Sequence, residues 1–390
     1  MCETIIFLPL ENISFKIYKS TTELPENWDY VSHDNHFLQT PYLNVLEKSA
    51  PVNMECFFIG IFENNELIGT SLAQYLDLNK LESFGERDNC FKTKIRNFVF
   101  RNFASHVLFI GNNMITGQNG YTFIKPIDFK HVSDVMMQCS KALIQYFKEK
   151  KITIHIVSFK DFYTECSVEL KKYDFGALYE FSAQPNMIFY LNKNWKTKED
   201  YIQAFSKKYR DQYKRAHKKI EGIDVRELSY DDVLKYETNI YNLYYYVAKN
   251  APFNTFFLDK HHFSTFKKQC GNRFRICGYF LNEKLVGFHT ILLNGETLET
   301  YFLGYDETIQ KESMLYLNML YNMTEFGIEN GFKKIIFGRT ALEIKSSIGA
   351  EPVNMSGFIL HTNKWVNKFM DKIFPKLEPE VHWQQRHPFK

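Results

Sequence analysis

Residues 59–70 read IGIFENNELIGT, and residues 277–288 read CGYFLNEKLVGF. Aligned without a gap, the two blocks agree at Gly60/Gly278, Phe62/Phe280, Asn64/Asn282, Leu67/Leu285 and Gly69/Gly287, with Ile68 facing Val286. Each is an alternating apolar run, a polar pair (Asn64-Asn65 or Asn282-Glu283) and a second apolar run, the pattern of two strands joined by a tight turn. The separation from Gly60 to Gly278 is far too long for a solenoid repeat. The chain is predicted to hold two copies of one domain.

More than the hairpin recurs. Val132, Val135, Met136, Cys139, Leu143, Tyr146 and Phe147 repeat at helical spacing after the first block, and an apolar strand is expected at Ile152–Val157. After the second block, Leu317, Leu320, Tyr321, Thr324 and Ile328 do the same, and Ile335–Phe337 follow. The first copy is longer, and its excess is placed at about 77–111 as a surface insertion. The SAQPN interruption near Phe181–Asn186 marks the boundary, giving a first domain at 1–183 and a second at 184–390. The order hairpin, strand, helix, strand predicts an α/β fold with a mixed sheet and helices packed on it.

Composition narrows the class. With 390 residues the chain exceeds one ordinary core, and two domains suit its length. A net charge of +3 advertises no polyanionic partner, so DNA binding is not expected. The 37 Phe and 24 Tyr fit either a compositional bias filling the core or an aromatic-lined groove for a lipid-like substrate. Seven Cys without CxxC or Cys/His spacing read as reduced thiols in a cytoplasmic protein, not as metal ligands. The start MCETIIFLPLEN lacks the basic opening and long apolar core of a signal peptide, and no stretch reaches the length of a membrane span. Contact with the inner face of a membrane remains compatible with this.

A long basic helix is expected from Lys198 to Ile220, with Lys207, Lys214 and Lys218 sharing one stripe with Asp211. Lys214 and Lys218 are candidates to face a phosphate-bearing ligand: coenzyme A, a nucleotide, an acidic membrane or the acceptor stem of a tRNA. A solvated helix face has the same pattern. There is no GxGxxG after a strand, no GxxxxGK[ST], no GxSxG and no HExxH. His261-His262 are adjacent, so they point to different sides of a helix and do not form a metal pair.

The duplicated unit resembles the tandem acyltransferase folds of the GNAT superfamily, as arranged in FemABX and FemAB-like N-acyltransferases. The resemblance rests on HFLQTPYLNVLEKSAP (His36–Pro51), FIGNNMITGQNG (Phe109–Gly120), KKYRDQYKRAHKK (Lys207–Lys219), YFLGYDE (Tyr301–Glu307) and GIENGFKKIIFGRTALEIKSSIGAEP (Gly327–Pro352). It implies a GNAT-like acyl-CoA N-acyltransferase fold in tandem, and transfer of an acyl or aminoacyl group from a carrier to an amine. Acyl-CoA or another acyl carrier would be the co-substrate. The acceptor would be a cell-envelope precursor or a long-chain amine lipid, and aminoacyl-tRNA is a further donor. The second copy is the one expected to catalyse.

That chemistry needs a base for the ammonium proton and donors for the carbonyl oxygen. By the resemblance, Glu343 is the base or a positioning carboxylate and Lys345 its electrostatic partner. An exposed helix start with an ordinary ion pair would look the same. Asp306 is the other candidate base, or a turn former or N-cap. Tyr301 either faces the cleft or packs in the sheet, and His289 has the same two readings. Arg339 either binds a phosphate or carboxylate or caps a strand end. The coenzyme A loop [QR]xxGx[GA] is missing: the second copy has YDETIQKESMLY there, and the first has Thr116–Gly120, whose Gly117 and Gly120 are candidate donor contacts. A GNAT-fold module that binds a peptide or lipid without turnover is the alternative from another class.

Overall fold

A computed structural model of the chain describes residues 5–6, 13–81, 103–182, 184–251, 254–374 and 383–390. The chain separates into two compact units, one of residues 1–183, 255–259 and 354–380, the other of residues 184–254, 260–353 and 381–390.

The first unit is built on a nine-stranded sheet. Eight of its strands are β1 (Ile5–Ile6), β2 (Ile13–Tyr18), β3 (Met54–Glu63), β4 (Glu66–Asp77), β5 (His106–Ile110), β6 (Tyr121–Phe123), β7 (Ile156–Tyr163) and β8 (Tyr179–Ser182). β1 to β5 lie side by side in chain order, β6 also pairs with β4, and β7 runs parallel to β5. The crossover between those parallel strands includes the helix Phe129–Glu149, whose first turn is capped by Asp128 accepting from the Lys130 N–H at 2.8 Å. Val132, Val135, Met136, Cys139, Leu143 and Phe147 are buried on its inner face. Each such side chain contributes on the order of 2 kcal/mol from burial. The strand expected at Ile152 starts later: Lys151 takes a left-handed conformation (φ 60°) and the Ile152 N–H returns to the Phe147 carbonyl, so the ladder opens only at Ile156. The extra length placed at 77–111 ends before β5, which is a core strand. Its middle, 82–102, lies outside the described residues.

The second unit has a seven-stranded sheet of β9 (Asn186–Tyr190), β10 (Ile223–Glu227), β11 (Phe274–Leu281), β12 (Lys284–Asn294), β13 (Thr297–Tyr305), β14 (Lys334–Gly338) and β15 (Glu351–Val353). Its order is β10-β11-β12-β13-β14-β9-β15, and only β13 and β14 are parallel neighbours. The helix Leu315–Glu329 joins them and buries Leu317, Leu320, Tyr321, Thr324 and Ile328. β16 (Met355–His361) then enters the first unit's sheet between β7 and β8.

The two hairpins agree in detail. Asn64 and Asn65 have φ of 50° and 70°, and Asn282 and Glu283 have 49° and 60°, the double left-handed turn that matches strand twist. The register slips at the same place in both. Ile61 pairs Gly69 and Phe62 pairs Leu67, leaving Ile68 extra; Tyr279 pairs Gly287 and Phe280 pairs Leu285, leaving Val286 extra. A shared bulge is a designed feature of a sheet, so the two units are copies.

The basic helix is two helices, Lys198–Ala204 and Lys207–Lys219. The break is Phe205, extended at ψ 143°, whose ring is fully buried among Tyr201, Tyr213, Tyr321 and Phe389. Burying that ring outweighs one turn of helix. The C-terminal residues strap the same region: the Ser206 N–H donates to the Pro388 carbonyl at 2.8 Å and the Lys390 N–H to Ala204 at 3.2 Å. Among the described residues, no helix is long and apolar enough to cross a membrane.

Candidate functional site

The parallel pair of the second unit parts midway. Thr297, Leu298 and Glu299 pair with Lys334, Ile335 and Ile336, but β13 runs on to Tyr305 with no strand beside it on that side among the described residues. Helix Glu237–Asn250 packs on this far half: a Cβ on Gly304 would lie 2.4 Å from the backbone of Leu243, so only glycine lets the helix approach. Thr300, Tyr301, Phe302, Leu303 and Tyr305 stay half-buried.

Glu299 sits where the pair divides. Leu298 of β13, Ile335 and Phe337 of β14 and Met187 and Phe189 of β9 belong to one core cluster. Alternation therefore puts Glu299 on the other face, in register with Ile336, which pairs with Ile188. Glu299 is 5% exposed, and burial raises its carboxyl pKa to about 7, opposed by the Asn294 amide that donates to Oε1 at 3.4 Å and by the charge of Lys334. Two residues from Ile188, and so on the same face, Asn186 is fully buried, and neither its Oδ1 nor its Nδ2 has a hydrogen-bond partner among the described residues. A buried amide normally has partners, so this one carries an unmet hydrogen-bonding capacity.

Beyond β14 the chain makes a tight turn with Gly338, Thr340 and Ala341 at φ of 72°, 68° and 47°. Lys345 holds it. Its buried Nζ donates to the carbonyls of Phe337 (2.7 Å), Gly338 (3.3 Å) and Arg339 (2.7 Å). Burial lowers the Lys345 pKa to about 7, and the three carbonyls work against that shift by favouring the ammonium. Glu343 lies elsewhere: its side chain is 48% exposed and pairs with Arg386. The expected Glu343–Lys345 partnership is therefore absent, since the lysine turns inward to carbonyls and the glutamate outward to the C-terminal strap.

The other candidates are scattered. Asp306 caps helix Glu307–Ser313, accepting from the Thr308 N–H (3.1 Å) and hydroxyl (2.6 Å). These bonds lower its pKa, with help from Lys284 at 3.4 Å. His289 is buried against the Tyr279 hydroxyl (3.0 Å), which also receives the Asn322 amide, and burial lowers its pKa to about 3, so it is neutral. The Tyr301 hydroxyl meets Nε2 of buried His262 at 3.0 Å, while His261 pairs with Glu237. Arg339 Nε donates to the Gln184 carbonyl at 2.9 Å. Lys214 and Lys218 are exposed on helix Lys207–Lys219. Only Tyr301 shares a strand with Glu299. Glu299 and Asn186 were not among the candidates read from the sequence, and His262 was weighed there only with His261 as a metal pair.

In the first unit the same parting is filled by its own chain. On β4, Ala73 pairs with Ile110 of β5 and Ser71 pairs with Tyr121 of β6, so residues 111–120 loop out of what is one strand in the other copy. The loop lies along the end of β7. Lys160 Nζ donates to the Asn112 carbonyl (3.2 Å), the Gly117 N–H donates to Asp161 Oδ2 (3.3 Å), and the Tyr163 N–H donates to Gln118 Oε1 (3.0 Å). The Gly120 carbonyl accepts from the Ser71 hydroxyl at 2.7 Å. Gly117 and Gly120 are thus engaged in holding the loop.

No protein-family model matches the chain, and no curated protein matches it in sequence. Solved structures do. FemX aligns with a TM-score of 0.51 at 10% identity, over 86% of this chain and 94% of that one. A tandem GNAT protein from the clavulanic acid biosynthesis pathway aligns at 0.45 and 7% identity, over 83% and 88% of the two chains. L-PGS from Bacillus licheniformis aligns at 0.43 and 12%, over 85% and 94%. At such identities the likeness is one of fold: the chain has a two-unit mixed α/β fold shared with FemX.

Proposed function

We propose that the chain is an N-acyltransferase whose second unit carries the chemistry, moving an acyl or aminoacyl group from a carrier thioester or ester to an amine. The observation that carries this reading is Glu299, a buried carboxyl with a pKa near 7 at the point where two parallel strands part. An amine is protonated at neutral pH and must lose that proton before it attacks. A carboxylate of matched pKa takes it efficiently, which a solvated glutamate does not. The nitrogen then bonds to the acyl carbon, negative charge gathers on the carbonyl oxygen, and the carrier leaves as thiol or hydroxyl with a proton. Backbone N–H groups along the far half of β13 are the donors proposed for that oxygen. The unpartnered Asn186 amide offers one donor and one acceptor to an amide-bearing donor arm or acceptor. Coenzyme A and aminoacyl carriers both meet these requirements, and the acceptor is proposed to be a cell-envelope amine.

The test is product formation with a panel of acyl-CoA and aminoacyl donors and amines, read by mass spectrometry. Glu299→Gln should lower kcat by roughly 10²–10⁴-fold with little change in KM, and the wild-type rate should rise with pH through an apparent pKa near 7. Glu343→Gln should keep its activity. Normal turnover by Glu299→Gln together with loss in Glu343→Gln or Asp306→Asn would move the base to another strand end. Ligand binding without turnover across the panel would favour a binding module.

A further inference from the structure

Two short helices, Lys364–Lys368 and Met370–Ile373, follow β16 in the first unit. Their inner side is fixed. Asn363 Oδ1 accepts from the Trp365 and Val366 N–H groups (2.9 and 3.3 Å), and Asn367 Oδ1 accepts from His361 N–H at 2.9 Å. Met370 is buried, and the Phe374 ring packs 5.2 Å from Tyr179 and 5.7 Å from Phe181.

The outer side is therefore held in one orientation, and its chemistry is unusual. Trp365 is 76% exposed and Phe369 is 43% exposed, four residues apart and so on one face. Lys364, Lys368 and Lys372 flank them, all exposed; the Lys372 Nζ lies 5.7 Å from the Phe369 ring centroid, and none of the three has an ion pair among the described residues. The single acid in this stretch is Asp371.

We propose that this face docks on an anionic lipid surface, with the two rings entering the headgroup boundary and the three ammonium groups meeting lipid phosphates. Exposed aromatic rings framed by lysines are the composition of helices that lie in a bilayer interface. A second copy of the chain is a poor occupant, because facing patches would bring like charges together. A single nucleic-acid strand is held in a groove with bases stacked on its rings, whereas these rings project from the outside of a helix. The proposal stands apart from the acyl-transfer reading, since a membrane-docked face can exist with or without turnover at Glu299.

The full chain should cosediment with vesicles of phosphatidylcholine and phosphatidylglycerol, weakly with phosphatidylcholine alone, and less as salt is added. Replacing Lys364, Lys368 and Lys372 together with Glu should weaken binding by on the order of 100-fold or more, at roughly five-fold for each lysine lost. Trp365→Ala with Phe369→Ala should weaken it by about ten-fold or more while the melting curve stays in place. A blue shift of tryptophan emission on vesicle addition should vanish in Trp365→Phe. Absence of vesicle binding by the wild type, equal binding by all variants, or tighter binding to single-stranded RNA than to anionic vesicles at the same salt would each overturn the proposal.

Discussion

Glu299→Gln separates a buried neutral carboxyl from a solvated carboxylate without reference to any substrate. In the fold the Glu299 pKa is raised from 4.5 to about 7 by burial, so the native state favours the protonated form. Between those values the native state binds more protons than the unfolded chain, and stability falls as pH rises through the window. At about 1.4 kcal/mol per pH unit, the wild type should lose on the order of 3 kcal/mol between pH 4.5 and pH 8 from this group. Gln has no proton to lose, so its variant should lack that slope, whatever constant offset its amide introduces. Urea unfolding at pH 5 and pH 8 for both proteins measures the difference directly. If both lose stability equally between those pH values, the carboxyl is not held neutral, and its candidacy as a base of matched pKa fails with it.

Lys345→Met should destabilise the second unit by roughly 3 kcal/mol or more, because the three carbonyls gathered by its ammonium are left buried without a donor; denaturant unfolding reads this, and a loss below about 0.5 kcal/mol would mean water replaces the ammonium. Glu283→Gly should raise stability by about 1 kcal/mol, since Glu283 is held at φ 60° and its exposed contact with Arg226 contributes little. No gain in melting temperature would show that the turn is not strained.

The parts legible in the sequence were those fixed by local pattern. A polar pair between alternating apolar runs specifies a hairpin without help from the rest of the chain, and the apolar spacing of Val132–Phe147 and Leu317–Ile328 specifies helices on a sheet. Glu299 was invisible for the same reason. Between Leu298 and Thr300 it occupies what reads as the wet face of an alternating strand, yet it is 5% exposed beside β14, whose residues come from a later part of the chain. Glu343 and Lys345 are different. Side chains two apart on a helix do not face each other, so the helix Leu342–Ser346 could have been read as separating them. Tertiary burial also explains the break at Phe205, where basic spacing runs on through a residue that the aromatic core claims.

The two copies suggest how one could keep a site and the other lose it. Both bring a parallel pair together beside the same bulged hairpin, and both leave a gap where the pair parts. In the first unit a ten-residue excursion, Gly111–Gly120, lies along that gap, pinned by Lys160, Asp161 and Ser71. Removing it would expose buried polar groups of β4 and β7, so the loop is part of that unit's stability. In the second unit the strand continues without an excursion, and the gap instead begins at a carboxyl poised near neutrality, with an unpartnered amide on the same sheet face two residues beyond its register position on β9. An unsatisfied amide and a buried acid each cost stability, whereas in the filled copy the buried acid, Asp161, accepts from the Gly117 N–H of the loop. Those costs persist where they serve a ligand, which is the physical ground for proposing that the second copy carries the chemistry.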